Sequence, residues 1–181
     1  MKFHRLLAAA AVSTLVFSDL SAQVFNFDDL VVGTQVGAYN GATFTNFQVQ
    51  TSFGPTSPPN FAFNTEATAM FEFAPGFTSF SFTAGVFTPA TVSVYSGLGG
   101  TGSLLGSLLV TDPPSAPNAF AANSVAFAGV GQSVVVVSSA GFFGWDDISL
   151  TAVPEPATWS LMVGGFGLVG IMARRRRTAD A

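Results

Sequence analysis

Phe71-Glu72-Phe73-Ala74-Pro75-Gly76-Phe77-Thr78-Ser79-Phe80-Ser81-Phe82 decides the fold class. Phenylalanine returns at the second position in Phe71/Phe73 and again in Phe80/Phe82, with Glu72 and Ser81 between the rings. That is the period of a strand with one buried face. The same spacing recurs at Phe25/Phe27 and Phe61/Phe63, separated by Asn26 and Ala62. Helix formers are scarce, while Gly, Thr, Ser, Val and Phe are abundant, as strands and tight turns prefer.

Outward from this stretch, the pattern predicts strands over 23–28, 42–50, 67–73, 77–87, 90–96, 103–110, 124–128, 132–139 and 146–152. Pro55, Pro58 and Pro59 mark one loop, and Asp112-Pro113-Pro114 through Pro117 mark another. Many short strands with regular turn signals predict an all-β, antiparallel β-sandwich or jelly roll. Val134-Val135-Val136-Val137 does not alternate, which suits a strand covered on both faces. Gly97-Leu98-Gly99-Gly100-Thr101-Gly102 fits the spacing of a dinucleotide loop, but a strand follows it and no acid stands about 20 residues on. It reads as a hairpin turn.

Both ends of the chain read as targeting segments. Lys2, His4 and Arg5 precede an apolar run from Leu6 to Phe17, and Leu20-Ser21-Ala22 ends on a small residue. This is the order of a secretory signal peptide, here a helix over 1–22. At the other end, Val153-Pro154-Glu155-Pro156-Ala157-Thr158-Trp159 opens an uncharged stretch that runs to Ala173. Pro154 and Pro156 keep 153–156 extended. Residues 157–173 would span about 25 Å as a helix, near the short limit for crossing a bilayer. Arg174, Arg175, Arg176 and Arg177 then stop the run and favour the cytoplasmic side, which leaves the preceding domain outside. The expected organisation is a signal peptide at 1–22, a cargo domain at 23–152, an anchoring signal at 153–177 and a tail at 178–181.

Charge limits the chemistry. The six Lys and Arg residues and the single His all lie in the two targeting segments, and there is no Cys. The cargo carries only Asp28, Asp29, Glu66, Glu72, Asp112, Asp146 and Asp147, a formal charge of −7. Nucleic-acid binding needs Lys and Arg on phosphates, so nucleic acid is excluded as a partner. His- and Cys-dependent catalysis and Schiff-base chemistry lack their residues. A carboxylate pair of the glycosidase kind is the remaining enzymatic option, with Glu66 and Glu72 an even number apart on one strand.

Pro154-Glu155-Pro156, the glycine-rich apolar span and the arginine cluster together resemble the PEP-CTERM protein-sorting signal of Gram-negative bacteria. The resemblance implies export through the Sec translocon and a temporary anchor in the inner membrane. It further implies recognition by an exosortase, with final delivery to the cell surface or exterior in bacteria that make exopolysaccharide or biofilm matrix. Tyr39-Asn40-Gly41 with Phe44, Val92-Ser93-Val94-Tyr95 and Gly144-Trp145-Asp146-Asp147-Ile148-Ser149-Leu150 resemble the jelly-roll cargo domains of such proteins, similar to galactose-binding or concanavalin-like sandwiches. In sandwiches of that type the terminal strands are neighbours. Asp28, Asp29, Asp146 and Asp147 would then converge on a structural calcium ion, the one cofactor the acids suit. Tyr39 and Trp145, with Phe53, Phe142 and Phe143, are the candidate aromatic platforms for a sugar, and Asn40 and Asn60 the candidate amide partners. The expected function is that of an exported, non-enzymatic matrix protein associated with glycan. The alternatives are a secreted carbohydrate-active enzyme and a coat that assembles through strand edges.

Overall fold

The computed structural model describes residues 22–51, 57–86, 88–111, 119–139 and 143–153. The expected signal-peptide helix, the Pro154-Glu155-Pro156 element, the membrane-spanning helix and the arginine cluster lie outside the described residues.

Among the described residues the strands are β1 (Ala22–Phe25), β2 (Gln35–Tyr39), β3 (Ala42–Gln50), β4 (Phe61–Asn64), β5 (Thr68–Val86), β6 (Ala90–Tyr95), β7 (Leu104–Val110), β8 (Phe120–Ser124), β9 (Gly131–Ser138) and β10 (Phe143–Ala152). The one helical element described is a single turn over Leu98–Gly100. All described strand pairings are antiparallel. The protein is an all-β sandwich.

β5 joins the two layers. Its first part, 68–72, pairs with β3 and β9, and its second part, 77–86, pairs with β10 and β8. Between them the register against β9 jumps from Glu72↔Ser133 to Phe77↔Gly131. The extra residues include Pro75, which has no N–H to leave unpaired, and Gly76 at φ +84°. A bulge of this kind bends a strand out of one sheet and into another. Its carbonyls find donors: Gln132 Nε2 reaches Ala74 O at 2.9 Å and Val153 N reaches Gly76 O at 2.9 Å. The two strands expected at 67–73 and 77–87 are thus one strand with a corner.

The predicted alternation sets the core. Phe71, Phe77, Phe80, Phe82, Phe143 and Trp145 are fully buried or nearly so. Their rings meet edge to face, tilted or stacked, with Phe82 and Trp145 centroids 4.8 Å apart and Phe80 and Phe82 5.0 Å apart. β1 and β10, which begin and end the described chain, are neighbours, with Phe25 opposite Ile148.

The sequence expectations need three corrections. The valine run is central, between β5 and β6, but its faces differ: Val134 and Val136 are 1% exposed, whereas Val135 is half-buried and Val137 is 51% exposed. The strand expected at 124–128 lies at 120–124. β2 and β4 had no counterpart among the expected strands. The 97–102 segment is a turn joining β6 and β7, as expected.

Candidate functional site

The acidic residues form two groups, and one loop ties them together. Asp28 Oδ2 accepts from Asn26 Nδ2 at 3.0 Å, and its Oδ1 accepts from the Asn60 N–H at 3.0 Å. Asn60 is buried and its amide donates to Leu30 O at 2.9 Å. Asp29 Oδ1 accepts from the Tyr39 hydroxyl at 2.7 Å. Burial first, and then the Asp29 carboxylate, push the Tyr39 hydroxyl up to about 12.

At the other end of the same loop, Asp146 Oδ2 accepts from the Ser57 N–H at 2.9 Å, and the Ser57 hydroxyl lies 3.1 Å from Asp146 Oδ1 and 2.8 Å from Asp147 Oδ1. Asp146 is fully buried, and none of the described residues is a Lys, Arg or His. Desolvation pushes its carboxyl up to about 6, aided by the charge of Asp147 and opposed by the hydrogen bonds from Ser57 and the Asp147 N–H. The left-handed backbone at Asp147, φ +46°, and the register shift that follows Asp146 mark a bulge in β10 that turns both carboxyls toward the loop.

The structure places each described candidate residue within the fold. Among the described residues no three carboxylates gather as ligands for a metal. Asp28, Asp146 and Asp147 accept from Asn60 and Ser57 of the 57–60 loop, and Asp29 accepts from Tyr39 of β2. Trp145 is fully buried and Tyr39 is 8% exposed. Tyr39 stacks on Phe27 at 5.5 Å and Trp145 packs against Phe82 and Phe143, each at 4.8 Å. Neither ring offers a free face to a sugar, because the core needed these large side chains first. Phe143 is buried as well, Asn40 sits in the exposed β2–β3 turn, and Phe53 and Phe142 lie outside the described residues. Glu66 precedes β5 in an exposed bend, while Glu72 lies within β5 and accepts from the Gly99 N–H. The two do not share a strand.

A feature that the sequence reading missed is an open groove of about 290 Å³ between 78–81 of β5 and 124–127. Thr78, Ser79, Ser81 and Ser124 line it together with the half-buried Phe127, and the Ser79 hydroxyl is paired with that of Thr151. Ser81 and Ser124 are direct cross-strand partners. No ionisable side chain lines the groove. The signal was the polar half of the alternation, Thr78-Ser79 and Ser81, which periodicity marks only as solvent-facing.

With this all-β body described, the class of the protein follows from what is attached to it. Residues 152–177 match the PEP-CTERM protein-sorting motif. The chain therefore carries an exosortase-directed C-terminal signal, which indicates a secreted protein. Among curated proteins none matches the chain in sequence. Similar solved structures include CsCBM6-3 from Clostridium stercorarium in complex with cellobiose, at 15% identity and TM-score 0.41, covering 62% of this chain and 86% of that one. A second is a family 6 carbohydrate-binding module, at 16% identity and TM-score 0.42, covering 71% and 96%. A third is the C-terminal CBM6 of LamC, a marine laminarinase from Zobellia galactanivorans, at 13% identity and TM-score 0.42, covering 72% and 99%.

Proposed function

We propose that this protein is an exported, non-catalytic component of a Gram-negative cell surface or extracellular matrix, released or transferred by an exosortase and associated with exopolysaccharide. The observation that carries the reading is the PEP-CTERM motif at 152–177 following a body without a single Lys, Arg, His or Cys. A body of that composition has few routes to catalysis. Its acids are spread over strand, bend and loop anchors, and no described carboxylate pair faces the groove.

The neutral, hydroxyl-lined groove supports an uncharged or weakly acidic glycan over a phosphate-rich partner. Sugar hydroxyls exchange hydrogen bonds readily with Ser and Thr, and the Phe127 edge offers apolar contact to a ring face. Two measurements test the two halves of the proposal. In the host, replacement of Glu155 by Ala together with Pro154 and Pro156 is expected to leave the chain unprocessed in the membrane fraction, with the extracellular form lost. Continued release at the normal level would remove the exosortase from the account. In native gels cast with the host's exopolysaccharide, the processed protein is expected to be retarded, and Ser81→Lys with Ser124→Lys is expected to reduce that retardation on neutral glycan. Equal mobility with and without polysaccharide ends the glycan half of the proposal and leaves the sorting half intact.

A further inference from the structure

We propose that β7 pairs edge to edge with β7 of a second copy of this chain, so that the run β5–β9–β6–β7 continues from one molecule into the next. Four strands have a single partner among the described residues: β1, β2, β7 and β8. β7 is the longest of them, seven residues against four, five and five. Its sequence, Leu-Leu-Gly-Ser-Leu-Leu-Val, contains no charge and no proline. Charge and proline are usual devices that keep an edge from accepting another strand, and β7 has neither; its pairing with β6 slips once, between Val94↔Gly106 and Tyr95↔Leu104, which leaves Gly106–Val110 in regular register.

The strand is also held ready. Leu105 and Leu108 pack against the core and Val110 is buried, which fixes the inward face. A side chain at Gly106 would run into Ala126 O at 2.5 Å and Phe127 Cβ at 3.0 Å, so 125–127 sits directly beneath the strand. On the outward face, Leu104 is 57% exposed and Leu109 is 63% exposed. On this face Leu109 stands beside Thr91 of β6, which stands beside the exposed Val137 of β9, an uncharged row across three strands.

Electrostatics selects the place. Every charge on the cargo is negative, so two copies repel wherever acids meet. From residue 73 to residue 111 there is no charged residue, and this stretch contains both β6 and β7. The described chain enters at β1 and leaves after β10, at the opposite end of the strand order from β7, so neither end of the described chain is led to this edge. An antiparallel pairing of a strand with its own copy is isologous and closes as a two-fold dimer.

The inference does not rest on glycan binding, and its test uses no polysaccharide. The chain has no cysteine, so an introduced one reports only on a second copy. We would place a cysteine in turn at each position of Leu104–Val110 in the full chain in detergent and oxidise mildly. A two-fold pairing puts one residue opposite itself at about 4.5–5.5 Å between Cα atoms, within disulfide reach. The expected result is a sharp maximum of dimer at one position of β7, at least fivefold above a Thr43→Cys control on the exposed face of β3. Sedimentation of the processed protein is expected to show a dimer that Leu109→Lys weakens at least tenfold, with an unchanged thermal midpoint at dilutions where both proteins are monomeric. Flat cross-linking along β7, or a monomer at about 100 μM, overturns the proposal.

Discussion

The indole Nε1 of Trp145 donates to Oδ1 of Asn64 at 2.9 Å, and both residues are fully buried. The bond joins β10 to β4, which are neighbours through Trp145↔Ala62. Trp145 therefore works as a core side chain whose one polar atom needs a fixed acceptor. Asn64→Leu orphans that N–H and is expected to cost about 1–3 kcal/mol. Trp145→Phe removes the donor but also volume, at a similar cost. Because the Asn64 Nδ2 already lacks a partner, removing both members of the pair should be milder than the sum. Chemical denaturation of the two single variants and the double variant measures this; strict additivity would show that the bond contributes nothing specific.

Asp146 should make stability depend on pH in a direction opposite to that of most carboxylates. Its folded pKa of about 6 lies above the ordinary 3.8, because burial disfavours the charged form. The unfolded chain therefore releases this proton first as pH rises. The contribution is full below about pH 4 and is lost between about 4 and 6, on the order of 2 kcal/mol. Asp146→Asn cannot titrate, so the fall in thermal midpoint between pH 4 and pH 6.5 should be smaller in that variant. The variant gives up one acceptor for Ser57 or Asp147, so it should begin lower at pH 4 and approach or pass the parent near pH 7. Parallel curves for the two proteins would rule out this carboxyl as their source.

The sandwich could be read from the sequence because phenylalanine marks the buried face of β1, β3, β4 and β5. β3 and β10 illustrate the range: 42–50 falls where alternation put it, while β10 begins at Phe143, three residues earlier than expected. β2 was missed even though Asn40-Gly41, both at positive φ, is a strong hairpin signal. Its Gly37 and exposed Ala38 give no apolar period. The sites were less legible. Aromatic rings and paired acids look the same in sequence whether they meet a ligand or each other. The Ser57 contact to Asp146 spans 89 residues, and no local pattern announces it. The sorting motif was legible because its information is local.

The valine run offers a clean test of which side chains the sandwich uses. Val136 is 1% exposed and points at the core, whereas Val137 is 51% exposed and points at solvent. Threonine keeps the β-branched shape and changes one methyl to a hydroxyl. At position 136 the hydroxyl is buried without a planned partner, and Val136→Thr is expected to cost about 1–3 kcal/mol. Val137→Thr should stay within about 0.5 kcal/mol. Equal effects at the two positions would mean that both faces of β9 are covered, the arrangement that the unbroken run suggested from sequence.

The corner in β5 depends on Gly76, where two constraints fall on one atom. Its φ of +84° is a conformation that residues with a Cβ rarely adopt. A Cβ added there would also lie 2.5 Å from Val130 Cγ1 and 3.4 Å from the carbonyl of Gly131. The Gly76 carbonyl accepts from Val153, the last described residue and the second of the 152–177 motif, so the corner also holds the start of that motif. Gly76→Ala is expected to cost about 2–4 kcal/mol, from left-handed strain together with displacement of Val130. Trimming the obstructing side chain tests the cause. Val130 is 43% exposed, so Val130→Ala alone should have a small effect, and in the double variant it should recover the steric part of the loss but not the conformational part. A Gly76→Ala protein with an unchanged midpoint would show that 73–76 can rearrange freely and that the corner is not fixed by this glycine.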